Sequence, residues 1–234
     1  PYSKWVKSNI LPLSKIPYRV KKSPKEKLNF ETRLKVFGYT KEDFKTIILP
    51  MCNNGKEAIG SMGTDTPLAV LSKKPQLIYN YFKQLFAQVT NPPLDGIREE
   101  IITDTSLSLG SDYNIFDLIP DHAKKLKINN PIISNDDLEK IKYIDHEDFK
   151  ACSINANYEI SKGHNGLEKA LDMIVDKVEK KVDNNHNIII LSDRKTSKKH
   201  APIPILLVCS YVHHSLIKRK KRSKFGIVIE SAEP

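Results

Sequence analysis

The sequence has no apolar run long enough to cross a bilayer, which takes about 20 residues, and its opening, Pro1-Tyr2-Ser3-Lys4-Trp5, lacks the apolar stretch of a signal peptide. Its three cysteines, Cys52, Cys152 and Cys209, lie far apart with no CxxC spacing. That argues against a disulfide framework, a zinc site or an iron–sulfur cluster held within the chain. Each cysteine is expected to be a small buried apolar residue, and the compartment a reducing one, cytosol or plastid. There is no internal repeat, no Ser/His/Asp order, no nucleophile elbow and no P-loop. The nearest approach to a dinucleotide fingerprint, Gly60-Ser61-Met62-Gly63, lacks the preceding strand and the third glycine. His213 and His214 are consecutive, so on a helix they point about 100° apart and do not readily share one metal. The first residue is not Met, and the last ones stop directly after an apolar run. Both ends read as cuts in a longer polypeptide.

The chain has 234 residues, 39% apolar and 28% charged. That suffices for one good-sized domain, or two small ones, with a hydrophobic core, and argues against disorder. The formal charge is +10, with lysine and asparagine abundant throughout. The sharpest basic cluster is Lys218-Arg219-Lys220-Lys221-Arg222 with Lys224. It reads either as a nucleic-acid patch or as cations at a helix C-terminus, where they complement the helix dipole. No aromatic residues interleave to stack bases, so the second reading is preferred and nucleic acid is not the expected partner.

Residues 1–29 read as an extended lead-in, an inter-domain linker broken by Pro12, Pro17 and Pro24, with Trp5, Val6, Ile10, Leu11, Leu13, Ile16 and Tyr18 available to pack on a neighbouring surface. Thr40 followed by Asp43 is a capping-box start, with Pro50 near the helix end. Residues 53–67 read as a loop. A second helix is expected over about 75–89, its Leu77, Ile78, Tyr81, Phe82, Leu85 and Phe86 on one stripe. Residues 103–134 show no clear period. Ser134 signals another helix start, and 149–154 a strand. The last third is clearest. Leu167, Leu171, Ile174, Val175, Val178 and Val182 mark an amphipathic helix. Ile188-Ile189-Ile190-Leu191 reads as a strand buried on both faces, followed by a helix over about 203–218 and a second such strand at 226–229. This βαβ unit implies a parallel sheet. The fold class is α/β, helix-rich early and βα-like late.

Parallel α/β folds place sites at the C-terminal ends of strands, which is where Asp193 and Arg194 fall. Arg194 reads either as a ligand or phosphate contact or, with Asp193, as part of a structural tie that holds the loop. The other unusual stretch is Gly60-Ser61-Met62-Gly63-Thr64-Asp65-Thr66-Pro67. Its glycines let backbone pass close to something and its hydroxyls supply donors and acceptors. It reads equally as a capped loop that merely joins two helices.

This stretch, continued through Leu68-Ala69-Val70-Leu71-Ser72, resembles the central domain of the large glutamate synthase chain. So do Phe37-Gly38-Tyr39-Thr40, residues 81–93, Ile97-Arg98-Glu99-Glu100, Ile190-Leu191-Ser192-Asp193-Arg194, Ala201-Pro202-Ile203-Pro204, Val212-His213-His214 and Val228-Ile229-Glu230-Ser231. The family usually carries Asn where this chain has Thr64, and a shorter, more neutral turn where it has 195–199. The resemblance implies a domain spanning 30–234, C-terminally truncated. Its fold would be an incomplete barrel-like parallel β/α domain resembling the flavin-binding barrel of the same enzyme. It would be non-catalytic and cofactor-free. The FMN and the iron–sulfur cluster of the parent enzyme would lie in other parts of the chain. Its partners would be intramolecular, the glutamine amidotransferase domain and the FMN domain, with ammonia passing between them through a tunnel. Neutral ammonia calls for small hydroxyls and glycine backbone, so Gly60, Ser61, Gly63, Thr64 and Thr66 are the tunnel candidates. Asp65 would instead bond backbone or an arginine. Two other readings stay open: a free-standing β/α-barrel enzyme that holds a phosphorylated ligand through Arg194, and a nucleic-acid binder that uses 218–224.

Overall fold

The computed structural model describes residues 2–18, 28–60, 67–82 and 93–233. Helix α1 (Tyr2–Asn9) leads into a two-residue strand β1 (Leu11–Pro12). Helix α2 (Phe30–Val36) is capped by Asn29, whose side chain accepts from Thr32 N. Next, α3 (Lys41–Asp43) starts on the Thr40–Asp43 capping box and passes through a π-helical segment, Phe44–Ile48, into α4 (Leu49–Asn54). Beyond α5 (Glu99–Ile102) come the short strands β2 (Leu107–Leu109) and β3 (Leu126–Ile128). Ser134 caps α6 (Asn135–Lys142) by accepting from Asp137 N. The rest alternates: β4 (Ala151–Asn155), β5 (Asn157–Glu159), α7 (Gly163–Asp183), β6 (Ile188–Ser192), β7 (His200–Pro202), α8 (Ile205–Lys218) and β8 (Gly226–Glu230).

Strands β4, β6 and β8 form a fully parallel sheet with β6 in the centre. Ile188, Ile189, Ile190 and Leu191 are all fully buried because both faces of β6 are covered. Ile189 and Leu191 pack with Ile154, Val178, Val208 and Val212 beneath α7 and α8. Ile188 and Ile190 pack with Leu126, Ile128, Leu138 and Ile141 from β3 and α6, and with Leu13 and Ile16. Each such isoleucine stabilises the fold by about 1.5–3 kcal/mol, so this four-residue run is a main determinant of the core.

A second sheet, ordered β1-β3-β2, has β1 parallel and β2 antiparallel to β3. Pro12 has no N–H to give a ladder, and it sits on an edge strand where that costs little. An antiparallel pair, β5 and β7, continues from the carboxyl end of β4. Gly226 lets the two halves approach: a Cβ there would lie 2.3 Å from Leu109 Cδ1 and 3.1 Å from Gly110 N.

The architecture is α/β with a parallel sheet and flanking helices, and the described strands form three separate sheets with no closed barrel among them. Several local expectations need correction. Residues 2–12 are not an extended lead-in: they form α1 and β1, and Leu13 and Ile16 enter the core. The helix opened at Thr40 ends at Asn54, four residues beyond Pro50, as expected, but it is not a plain α-helix. The π segment spaces the turn before Pro50, which sits in the first turn of α4, where a missing N–H is tolerated. Of the helix expected over 75–89, the described part holds only a 3-10 turn, Ile78–Tyr81, and residues 83–89 lie outside the described residues. Residues 103–134 contain β2 and β3, whose three residues each are too few to display a period. Cys52 is exposed rather than buried, and Cys152 and Cys209 are half-buried. No described helix is long and apolar enough to cross a membrane.

Candidate functional site

The carboxyl ends of the three parallel strands come into register, Asn155 opposite Ser192 and Ser192 opposite Glu230. Residues in one such row share a face of the sheet, here the face covered by α6. Lys142, the last residue of α6, donates from Nζ to Glu230 Oε1 at 2.8 Å and to Glu139 Oε1 at 3.2 Å. Arg194 Nε donates to the same Glu230 oxygen at 2.6 Å. Burial raises the Glu230 pKa, but hydrogen bonds from Lys142, Ser192 and Arg194 outweigh it and hold the carboxyl below its ordinary range. Glu230 is therefore a buried anion tied by two cations, and the tie closes the loop after β6 onto β8.

Asp193 is 4% exposed. Its Oδ2 accepts from Ser231 Oγ at 2.6 Å and from Ala232 N at 3.3 Å. Burial pushes its pKa up to about 6, against those hydrogen bonds and with help from the charges of Glu233 and Glu230. Its backbone oxygen accepts from Thr196 Oγ1 at 2.6 Å and from Asn157 Nδ2 at 3.4 Å. Beyond Ser231, Glu233 Oε2 accepts from Ile205 N, the first residue of α8, at 3.0 Å and from Tyr79 OH at 3.3 Å. A cavity of about 700 Å³ opens beside this cluster, with Phe37, Leu138 and Val228 among its apolar walls and Asp193, Arg194 and Ser134 among its polar ones.

Asp193 and Arg194 follow directly on the carboxyl end of β6. Each makes its tie to β8 rather than to the other. Lys142, Ser192, Ser231, Asn155 and Asn157 join them, and sequence reasoning gave them no part in a site. One signal was available: Glu230 is an acid that ends an apolar strand, and such a residue needs a cation. Of the loop candidates, the structure describes Gly60 alone. Gly60 is exposed, with open space where a Cβ would stand, and Ser61, Gly63, Thr64, Asp65 and Thr66 lie outside the described residues.

Three of the six cations in the basic cluster, Arg219, Lys221 and Arg222, are engaged with neighbours. Arg219 Nη1 donates to Asp176 Oδ1 at 2.9 Å and to Glu179, and Lys221 Nζ reaches Asp183 at 2.8 Å and Glu179 at 2.9 Å, all on α7. Arg222 Nε donates to His213 Nδ1 at 3.0 Å and its guanidinium lies 5.0 Å from the Phe225 ring centroid. Arg219 and Lys221 clamp the end of α8 and the following turn onto α7. Among the described residues, no group of three or more His, Cys, Asp and Glu side chains is placed to hold a metal.

The chain matches the family described as the glutamate synthase central domain over residues 32–234. It belongs to that family. It is 37% identical over 236 residues to the NADPH glutamate synthase large chain of Bacillus subtilis (strain 168), covering all of this chain. Over 84% of its length it is 37% identical to the NADH glutamate synthase of Schizosaccharomyces pombe, and over all of it 34% identical to the ferredoxin-dependent glutamate synthase 2 of Synechocystis. This glutamate synthase central domain spans 15%, 9% and 15% of those relatives' lengths, respectively.

Proposed function

We propose that this glutamate synthase central domain joins a glutamine amidotransferase domain to an FMN domain within one polypeptide and walls part of the ammonia path between them. The observation that supports the reading is the family match across 203 residues, from 32 to 234, in relatives that are several times longer. The parent reaction is that of glutamine, 2-oxoglutarate and a reductant giving two glutamates, in cytoplasm or plastid, and its FMN and iron–sulfur cluster belong to another part of the chain. Residues 1–29 serve as the inter-domain linker, seated on the domain through Leu13 and Ile16. The parallel β4-β6-β8 sheet with α7 and α8 on one face is the part that resembles a section of the flavin barrel.

The resident chemistry supports a cofactor-free role. The N-terminus of α8 is where a β/α fold would take a phosphate, and there the Glu233 carboxylate bonds Ile205 N. A second negative charge at that point is unfavourable. Arg194 is tied to Glu230, so a phosphorylated ligand gains little support from either group.

Gly60, Ser61, Gly63, Thr64 and Thr66 remain the tunnel candidates, with Asp65 bracing the loop. In the full-length enzyme, Thr66→Trp is expected to leave glutamine hydrolysis running while glutamate formation falls, so that free ammonia appears in the medium. Measuring glutamine consumed against glutamate formed checks this. A ratio unchanged from the parent would remove the loop from the ammonia path.

A further inference from the structure

Two buried acceptors at the carboxyl end of the sheet have no donor among the described residues. Asn155 Oδ1 and Asn157 Oδ1 are both closed to solvent and accept no hydrogen bond. Asn157 is 7% exposed. Its amide orientation is fixed from the other end: Nδ2 donates to Thr196 Oγ1 at 2.7 Å and to the Asp193 carbonyl at 3.4 Å, and a carbonyl can only accept. The oxygen is therefore the atom left over. A buried polar atom stripped of water with no replacement is costly, and folded proteins keep few of them.

The two residues are two positions apart, on either side of Ala156. The backbone runs from β4 through Ala156 into β5 without a break. Ala156 is held on the β6 side, its N donating to Ser192 O at 2.7 Å and its O accepting from Ile203 N at 3.0 Å. Residues two apart in an extended chain point to the same side, with Cα atoms about 7 Å apart. Thr196, whose hydroxyl takes a hydrogen from Asn157, is also a wall residue of the neighbouring cavity.

We propose that Asn155 and Asn157 form a seat for one small neutral molecule that donates two hydrogen bonds, either water or ammonia. Both acceptors are uncharged amides, which bond a neutral donor without adding a charge that would trap ammonium. The seat follows from the orphaned acceptors alone. Only the choice of ammonia as occupant rests on the tunnel reading above.

The test is an atomic-resolution crystal structure of this chain, grown at alkaline pH in ammonium chloride and, in parallel, in sodium chloride, with melting temperatures measured in both salts. A single density peak about 2.7–3.2 Å from both oxygens is expected. An equal peak and equal melting temperature in the two salts identify the occupant as water. A melting temperature raised by the ammonium salt alone, with the rise lost in Asn155→Ala, identifies ammonia. Asn155 is only half-buried, so Asn155→Ala is the variant expected to fold, with the peak lost or displaced. An empty site in both salts, or a peak unmoved in Asn155→Ala, overturns the proposal.

Discussion

Asp193 carries both of its side-chain hydrogen bonds on one oxygen, Oδ2, in a site that is almost closed to water. Its pKa is pushed up from 3.8 to about 6, chiefly by burial. Below pH 3.8 the folded and unfolded chains both hold this proton. Between 3.8 and about 6 only the folded chain holds it, so stability falls as pH rises through that window, and above it the full cost of the buried charge stands. The shift is worth about 2–3 kcal/mol. Asparagine imitates the protonated form, and its oxygen can keep the bonds from Ser231 and Ala232. Asp193→Asn is therefore expected to match the parent near pH 4 and to exceed its stability by about 2–3 kcal/mol at pH 7. Urea unfolding of both proteins across that range checks it; a difference that does not grow with pH would mean that the carboxyl is not raised. The sequence singled out this residue and its neighbour Arg194. It did not show what they hold, because Ser231 and Glu230 lie 36–38 positions away and no local period encodes such a pairing.

Elements with long apolar periods were readable. The stripe Leu171, Ile174, Val175, Val178, Val182 is the buried face of α7, and the run 188–191 is β6. Capping signals at Thr40 and Ser134 also held, since each acts within one turn. What stayed hidden was set by distant neighbours: α1 and β1 depend on β3 and the Pro120–Ala123 turn for their packing, and the stripe at 77–82 yields only a 3-10 turn in its described part. The start of α8 belongs with these. Its N-cap, Pro204, makes no side-chain cap bond, and the carboxylate that serves Ile205 N comes from Glu233, 28 positions on. An acceptor and a negative charge both favour a helix N-terminus. Glu233→Ala is expected to cost about 1 kcal/mol. Glu233→Gln keeps an acceptor and loses only the charge, so its cost should be about 0.3–1 kcal/mol. Thermal and urea unfolding at neutral pH measure both. Equal stability of Glu233→Ala and the parent would show that the bond adds nothing.

For the molecule as a whole, the distribution of apolar surface matters more than the net charge of +10. The turn holding Ile115, Phe116 and Leu118 leaves Phe116 87% exposed, and it borders a groove lined by Tyr2, Trp5 and Val6 of α1. Ile132 is 89% exposed on another loop. Single exposed apolar residues are ordinary, but a contiguous group marks a surface that something covers. A domain held between two others in one polypeptide would have such a surface. The isolated chain is then expected to self-associate as its concentration rises, and Phe116→Ser combined with Leu118→Ser should shift it toward monomer. These side chains make little of the core, so unfolding free energy should change by no more than about 0.5 kcal/mol for each. Sedimentation velocity on the parent and the double variant, paired with urea unfolding, separates the two effects. Self-association that persists unchanged in a folded double variant would place the sticking surface elsewhere. A large loss of stability would instead show that the 115–118 turn belongs to the core.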